Sequence, residues 1–165
     1  MFDTDAGIMV PGGGTVKGSD VKGGVTVCDL RGKPQTLRRS RVTSEKEYHM
    51  LKFGNGTMFY CLPYLSIMIW DRDHGEIGEI DAMDIKPGDK VLGFRNDRLI
   101  EIPVEDSLSV TIYNKKHLNM PKKVKMLFLE TYEDMPIVVN EVVIGMVKQL
   151  RNIKELPLDA ALMQG

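Results

Sequence analysis

The chain is poor in the features that would commit it to several protein classes. Of its 165 residues only Cys28 and Cys61 are cysteines, and they lack CxxC spacing, so no disulfide framework can be built. They read as two buried thiols in a reducing compartment, with one disulfide as the alternative. Charge of one sign is missing too. Lys plus Arg is 22 and Asp plus Glu is 23, giving a formal net charge of -1. That excludes a strongly basic nucleic-acid binder and an acidic disordered tail as whole-chain descriptions. No stretch approaches the roughly 18 apolar residues of a membrane span. The start, MFDTDAGIMVPGGG, has neither the positive segment nor the apolar segment of a signal peptide. The expectation is cytoplasmic synthesis and no membrane partner.

What is present suits one domain with a tail. Hydrophobic residues are 42% and charged residues 27%, as in an ordinary globular protein. Sixteen Gly and eight Pro favour turns and short strands over long helices. Eleven Met equal the five Phe, five Tyr and one Trp together.

Apolar patterning predicts mostly strands. Residues 47–61 read as a hairpin around Gly54-Asn55-Gly56. Leu65 to Trp70 is nearly all apolar and suits a fully buried strand, followed by a polar turn from Asp71 to Gly75. Strands are expected at 26–28, 90–94, 109–113, 125–129 and 137–139. One helix is expected from Val147 to Glu155, ending before Pro157. A short amphipathic turn from Leu158 to Met163 follows it.

The most informative pattern is an internal repeat. Residues 20–31 resemble residues 84–95 at a constant offset. Asp20, Lys22, Gly24, Val27 and Arg31 recur as Asp84, Lys86, Gly88, Val91 and Arg95. Val21, Cys28 and Leu30 match Ile85, Leu92 and Phe94 in kind, and Gly14 and Val16 match Gly78 and Ile80. Each copy starts a turn with a polar residue, supplies a Gly for positive φ, and leaves as a strand. A duplicated half-domain accounts for the ten matches.

A duplicated all-β domain carrying Ala82-Met83-Asp84-Ile85-Lys86-Pro87-Gly88-Asp89-Lys90-Val91-Leu92 resembles the Hint domain of inteins and hedgehog autoprocessing proteins. Asn55-Gly56-Thr57 and Cys61-Leu62-Pro63-Tyr64-Leu65-Ser66-Ile67 look like that family's second block. Residues 132–144 look like its C-terminal blocks, and residues 1–14 fit its first block. The resemblance covers residues 1–146 and implies an all-β, pseudo-two-fold fold of short strands with a helical C-terminal extension at 147–165.

The family's chemistry uses a Cys or Ser at the first position, which attacks the preceding carbonyl. A Thr-x-x-His in the second block positions and protonates the scissile peptide, and a terminal His-Asn cyclises at the Asn. On the resemblance, these positions hold Met1, then Leu62 and Leu65, then Gly145 and Met146. A further family His falls near Met135. None of these side chains transfers a proton or acts as a nucleophile, so the resemblance implies a scaffold without splicing chemistry, and neither a cofactor nor a metal. Starting at Met1, the chain is expected to have no N-terminal flank to cleave, and it continues nineteen residues past Met146, where an intein would end.

Other groups could carry chemistry. Cys61, and less so Cys28, could serve as a relocated nucleophile; a core Cys is the plainer reading. Asp71, Asp73, His74, Glu76, Glu79, Asp81 and Asp84 form an acidic stretch without EF-hand spacing, so a solvated turn is expected there. Gly12 to Gly18 is Gly-rich but is no P-loop, and a flexible loop is expected. Arg38, Arg39 and Arg41, with Lys115, Lys116, Lys122 and Lys123, are candidate contacts for phosphate or an acidic protein, against a background reading of solvated loop charge. Met146, Val147, Leu150, Ile153, Leu156, Leu158 and Leu162 are candidate partner-binding residues of the tail.

The function expected is non-catalytic and structural, acting through contacts with protein subunits in a homo-oligomer or larger assembly, as in a bacteriophage virion. The alternatives are a self-processing Hint enzyme using a relocated Cys, and a nucleic-acid-contacting module.

Overall fold

The computed structural model describes residues 1–21, 26–28, 34–131 and 136–145. Among these, the first half contains β1 (Phe2–Asp3), β2 (Gly7–Met9), β3 (Thr15–Lys17), β4 (Thr26–Cys28), β5 (Pro34–Glu45), β6 (Tyr48–Phe53) and β7 (Met58–Cys61). The second contains β8 (Ser66–Asp71), β9 (Glu76–Asp81), β10 (Lys90–Arg95), β11 (Arg98–Val110), β12 (Val124–Thr131), β13 (Ile137–Val139) and β14 (Val142–Ile144). One short helix, α1 (Lys115–Leu118), interrupts them. The strands connect in the order β3-β2-β13-β14-β10-β11-β6-β7-β1-β12-β5-β4, with β8 joining β14 and β9. The fold is all-β, as expected.

The repeat is visible in the backbone. A single 3₁₀ turn occupies Gly18–Asp20 in the first half and Ala82–Asp84 in the second. Val21 N–H donates to Gly18 O at 3.1 Å, and Ile85 N–H donates to Ala82 O at 3.2 Å. Gly18 and Ser19 donate to Ala6 and Thr4 carbonyls; Ala82 and Met83 donate to Leu65 and Pro63 carbonyls. Residues 4–6 and 63–65 are therefore equivalent loops of two related halves. In both halves the turn is fastened by a buried apolar residue, Val21 or Ile85.

The long strands β5 and β11 are the other equivalent pair. Apolar patterning does not reveal β5, and of β11 it reveals only the end. Pro103 masks β11, because proline cannot donate to a ladder. It is tolerated opposite Lys90, just before a register irregularity between Val104 and Asp106. There β11 leaves β10 and pairs with β6, linking the two sheets. The strand expected at 109–113 ends at Val110, and the polar segment after it forms α1.

The hairpin at 48–61 forms as expected, with Gly56 at φ 85. Its register divides two faces. Leu51, Phe53, Phe59 and Cys61 join Phe2 and Leu127 in the main core. Tyr48 on the opposite face packs with Val110, Val124 and Met126, against Met1, Tyr60 and Leu62. Two expectations need correction. β8 is not fully buried: Ile67 and Met68 are, but Ile69 and Trp70 are only half-buried. Its partner β9 is an edge strand, and β8 shares one rung with β14, Ile67 opposite Ile144. The Gly-rich segment is not a free loop. Gly12 and Gly13, at φ 94 and 89, turn the β2–β3 hairpin, closed by Val10 N–H to Gly14 O at 2.9 Å. The expected helix at 147–155 lies outside the described residues.

Candidate functional site

Three separate segments meet where the resemblance places the chemistry. The Met1 carbonyl accepts the Leu62 N–H at 3.1 Å. Leu62 O accepts the Leu65 N–H at 3.0 Å, and Ser66 O accepts the Gly145 N–H at 3.0 Å. The pairing of β1 with β7, Phe2 opposite Cys61, sets the first contact. The pairing of β14 with β8 sets the last. Met1, Leu62, Leu65 and Gly145 are thus brought together. Their side chains supply no acid, base or nucleophile: Leu62 packs on the Tyr48 cluster and Leu65 on the main core. Met135 and Met146 lie outside the described residues, as do Val147, Leu150, Ile153, Leu156, Leu158 and Leu162.

Titratable groups lie just behind this junction. Cys61 is a free thiol with no exposed surface. Burial pushes it up to about 12; the Met1 α-amino group offsets this slightly and Asp3 adds to it. At neutral pH the sulfur is therefore a thiol, a poor nucleophile. Burial also lowers the pKa of the Met1 amine. Asp3 is buried, its carboxylate accepting the N–H of Tyr60 at 2.7 Å and of Asp5 at 2.9 Å. Burial raises its pKa despite those bonds. Asp3 thus pins the start of the chain to β7. Cys28 lies on β4.

Cross-strand from Cys61 is His49, which the sequence reading overlooked. It is buried, and burial holds its pKa below the usual imidazole value. Ser107 Oγ donates to Ile85 O at 2.6 Å, so it must accept from His49 Nε2–H, 2.7 Å away. In the neutral ring Nδ1 then accepts from the Ser109 hydroxyl at 3.0 Å. Both ring nitrogens are occupied by serines of β11, and His49 is held in a polar cradle of the sheet. The sequence signal was a lone imidazole in the run Tyr48 to Leu51.

The basic residues separate into two places. Arg38, Arg39 and Arg41 lie on β5, not on a loop, and the Arg41 guanidinium sits 5.1 Å from the centre of the Phe128 ring. Lys115, Lys116, Lys122 and Lys123 gather with Lys46 around an open groove of about 620 Å³, which also contains Ile112 and Met120. In the acidic stretch, Asp71 and His74 form an exposed pair at 2.8 Å. It raises the histidine pKa and lowers that of the aspartate. Among the described residues no three His, Cys, Asp or Glu side chains gather as a metal site would require. No described helix is long and apolar enough to cross a membrane.

No protein-family model matches the chain, and no curated protein matches it. Solved structures do. An intein-like domain from Clostridium thermocellum superposes with TM-score 0.67 at 20% identity, covering 88% of this chain and 99% of that one. A DnaB intein from Synechocystis sp. PCC 6803 gives TM-score 0.67 at 11% identity, covering 88% and 96%. The MchDnaB-1 intein gives 0.62 at 14% identity, covering 88% and 99%. At such identities the likeness speaks to architecture. The chain folds as a Hint-like, intein-like domain, an architecture that hosts self-splicing proteins.

Proposed function

We propose that this chain is a Hint-like scaffold without splicing chemistry, serving a structural or assembly role through contacts with other protein subunits. Residues 1–146 form the scaffold and residues 147–165 its partner-binding extension. A bacteriophage virion or assembly component is the context that suits such a chain. The observation that carries the reading is the Met1–Leu62 contact. The segments to which the resemblance assigns the family's reaction come together there, yet the side chains of Met1, Leu62, Leu65 and Gly145 include no acid, base or nucleophile. Cys61, next to Leu62 in the chain, is a fully buried thiol whose pKa is pushed up to about 12. Fold alone does not supply an activity, and these positions do not add one.

The test is intact-mass spectrometry of the full chain during long incubation, with and without a small thiol or hydroxylamine. An unchanged mass is expected. A cleavage product, or a thiol-trapped acyl adduct, supports the self-processing alternative and overturns the proposal. If such a product appears, its loss in Cys61→Ala would identify the nucleophile.

A further inference from the structure

Seven large hydrophobic side chains are exposed among the described residues, and five of them flank two oppositely charged clefts. The first cleft is the lysine groove, with Ile112, Tyr113 and Leu118 exposed beside it; Tyr113 is 83% exposed. The second is an open cleft of about 470 Å³ at the β8–β9 edge, lined by Tyr64, Ser66, Glu79, Asp81 and Asp84. Tyr64 is 75% exposed there, and Met83 on the adjoining turn is also exposed.

The lysine groove is a built feature. Tyr48, buried in the sheet, donates its hydroxyl to Pro121 O at 2.5 Å and ties down the loop after α1. Lys115 Nζ donates to the carbonyls of Lys46 and Lys122, so one ammonium fastens the two banks together. Asn114 accepts the Thr111 N–H at 2.7 Å and donates to Ser109 O at 3.0 Å, fixing the entry to α1. Lys46, Lys116, Lys122 and Lys123 remain as exposed cations around Ile112 and Met120. Positive charge around an apolar floor favours a protein surface with carboxylates and aromatic side chains over a bare phosphate chain.

We propose that the lysine groove docks the β8–β9 edge of a second copy of this chain, head to tail. The charge complementarity is on the molecule itself: Glu79, Asp81 and Asp84 oppose the lysines, and Tyr64 and Met83 meet Ile112 and Met120. The two clefts share no residue, so each subunit keeps one free groove and one free edge after pairing. Such a heterologous contact propagates into a ring or a filament. This deepens the assembly reading above, on which it rests, by naming the contact surface.

The experiment is light scattering of the full chain after size exclusion, with two charge-reversed variants. One carries Lys116→Glu, Lys122→Glu and Lys123→Glu; the other carries Asp81→Lys and Asp84→Lys. All five positions are exposed, so both variants should fold, as circular dichroism will verify. The wild type is expected to grow in mass with concentration toward ~1 mM at low salt. It should return to monomer near ~1 M NaCl, where surface charges are screened. Each variant alone stays monomeric, because its two patches then carry the same sign. Mixed, they associate, since one contributes an intact groove and the other an intact edge, and their two reversed patches are again opposite in sign. A monomeric wild type at every concentration, or a mixture that stays monomeric, overturns the proposal and leaves the scaffold reading to the mass experiment. Self-cleavage in that experiment overturns the scaffold reading whatever the oligomeric state.

Discussion

The carbonyl of Met1 lies 3.1 Å from the amide nitrogen of Leu62, which donates to it. This bond involves main-chain atoms alone, so replacing the leucine side chain leaves it in place. The side chain packs on the Tyr48 cluster, and Leu65 packs on the main core. Installing the resembled family's polar pair, Leu62→Thr with Leu65→His, therefore removes packing without disturbing the junction. The double variant should lose about 2 kcal/mol of stability by urea denaturation. It should also show no cleavage by intact mass, because Met1 still supplies no nucleophile and Met146 no cyclising amide. Cleavage in that variant would mean the site needs only the second block to function.

The Cys61 thiol should be nearly inert in the folded protein. It has no exposed surface and its pKa is pushed up to about 12, so the thiolate fraction at pH 8 is on the order of one in ten thousand. A disulfide reagent added to a Cys28→Ser background should react at a rate set by unfolding, and at once in denaturant. Fast labelling of the native protein would show the sulfur to be accessible. Cys61→Ala, which removes a small buried group, should cost about 1 kcal/mol.

Acid should weaken the fold through His49. Its folded pKa lies below the unfolded value, so the unfolded chain binds more protons as pH falls. The stability it contributes is present above about pH 6.5 and is lost as pH drops through the folded pKa. His74 works in the opposite direction, since its bond to Asp71 raises its pKa. Asp3, with a raised pKa, likewise favours folding at low pH and loses that contribution as pH rises through its folded value. The variant His49→Gln isolates the effect. Its stability deficit against wild type, measured by denaturant midpoint, should be largest near pH 7.5 and shrink toward pH 5. A deficit independent of pH would show that burial does not depress the His49 pKa.

The halves of the fold were legible because a turn is a local device. Asp20 and Asp84 begin the same grammar, and the structure answers with the same 3₁₀ turn at the same offset. The long strands were not legible, for reasons that differ. β5 is rich in polar residues and buries Gln35 and Leu37 while Val42 is exposed, so its alternation is weak. β11 carries a proline inside it. The junction of Met1, Leu62 and Gly145 emerged only through resemblance, since nothing local ties residues so far apart. Asp3 and His49 escaped for the same reason: their partners lie 57 and 58 residues away.

Gly93 and Gly88 offer a contrast between two ways in which glycine is needed. An alanine Cβ at Gly93 would stand 2.2 Å from Ile102 Cδ1 and 2.9 Å from Glu141 O. That carbonyl is held by the Phe94 N–H at 2.7 Å, so it has little room to retreat. At Gly88 a Cβ meets nothing within 4 Å, but φ is +94. Gly88→Ala should therefore cost only backbone strain, about 1 to 2 kcal/mol. Gly93→Ala overpacks the crossing of β10 with the β13–β14 turn and should cost about 3 kcal/mol. Ile102→Val removes the nearer methyl and should recover part of that loss. It cannot recover all, because the Glu141 carbonyl remains. Urea denaturation of the two single variants and the Gly93→Ala, Ile102→Val pair checks the order. If Gly93→Ala proved as stable as Gly88→Ala, the close approach of β10 to that turn would have to be abandoned.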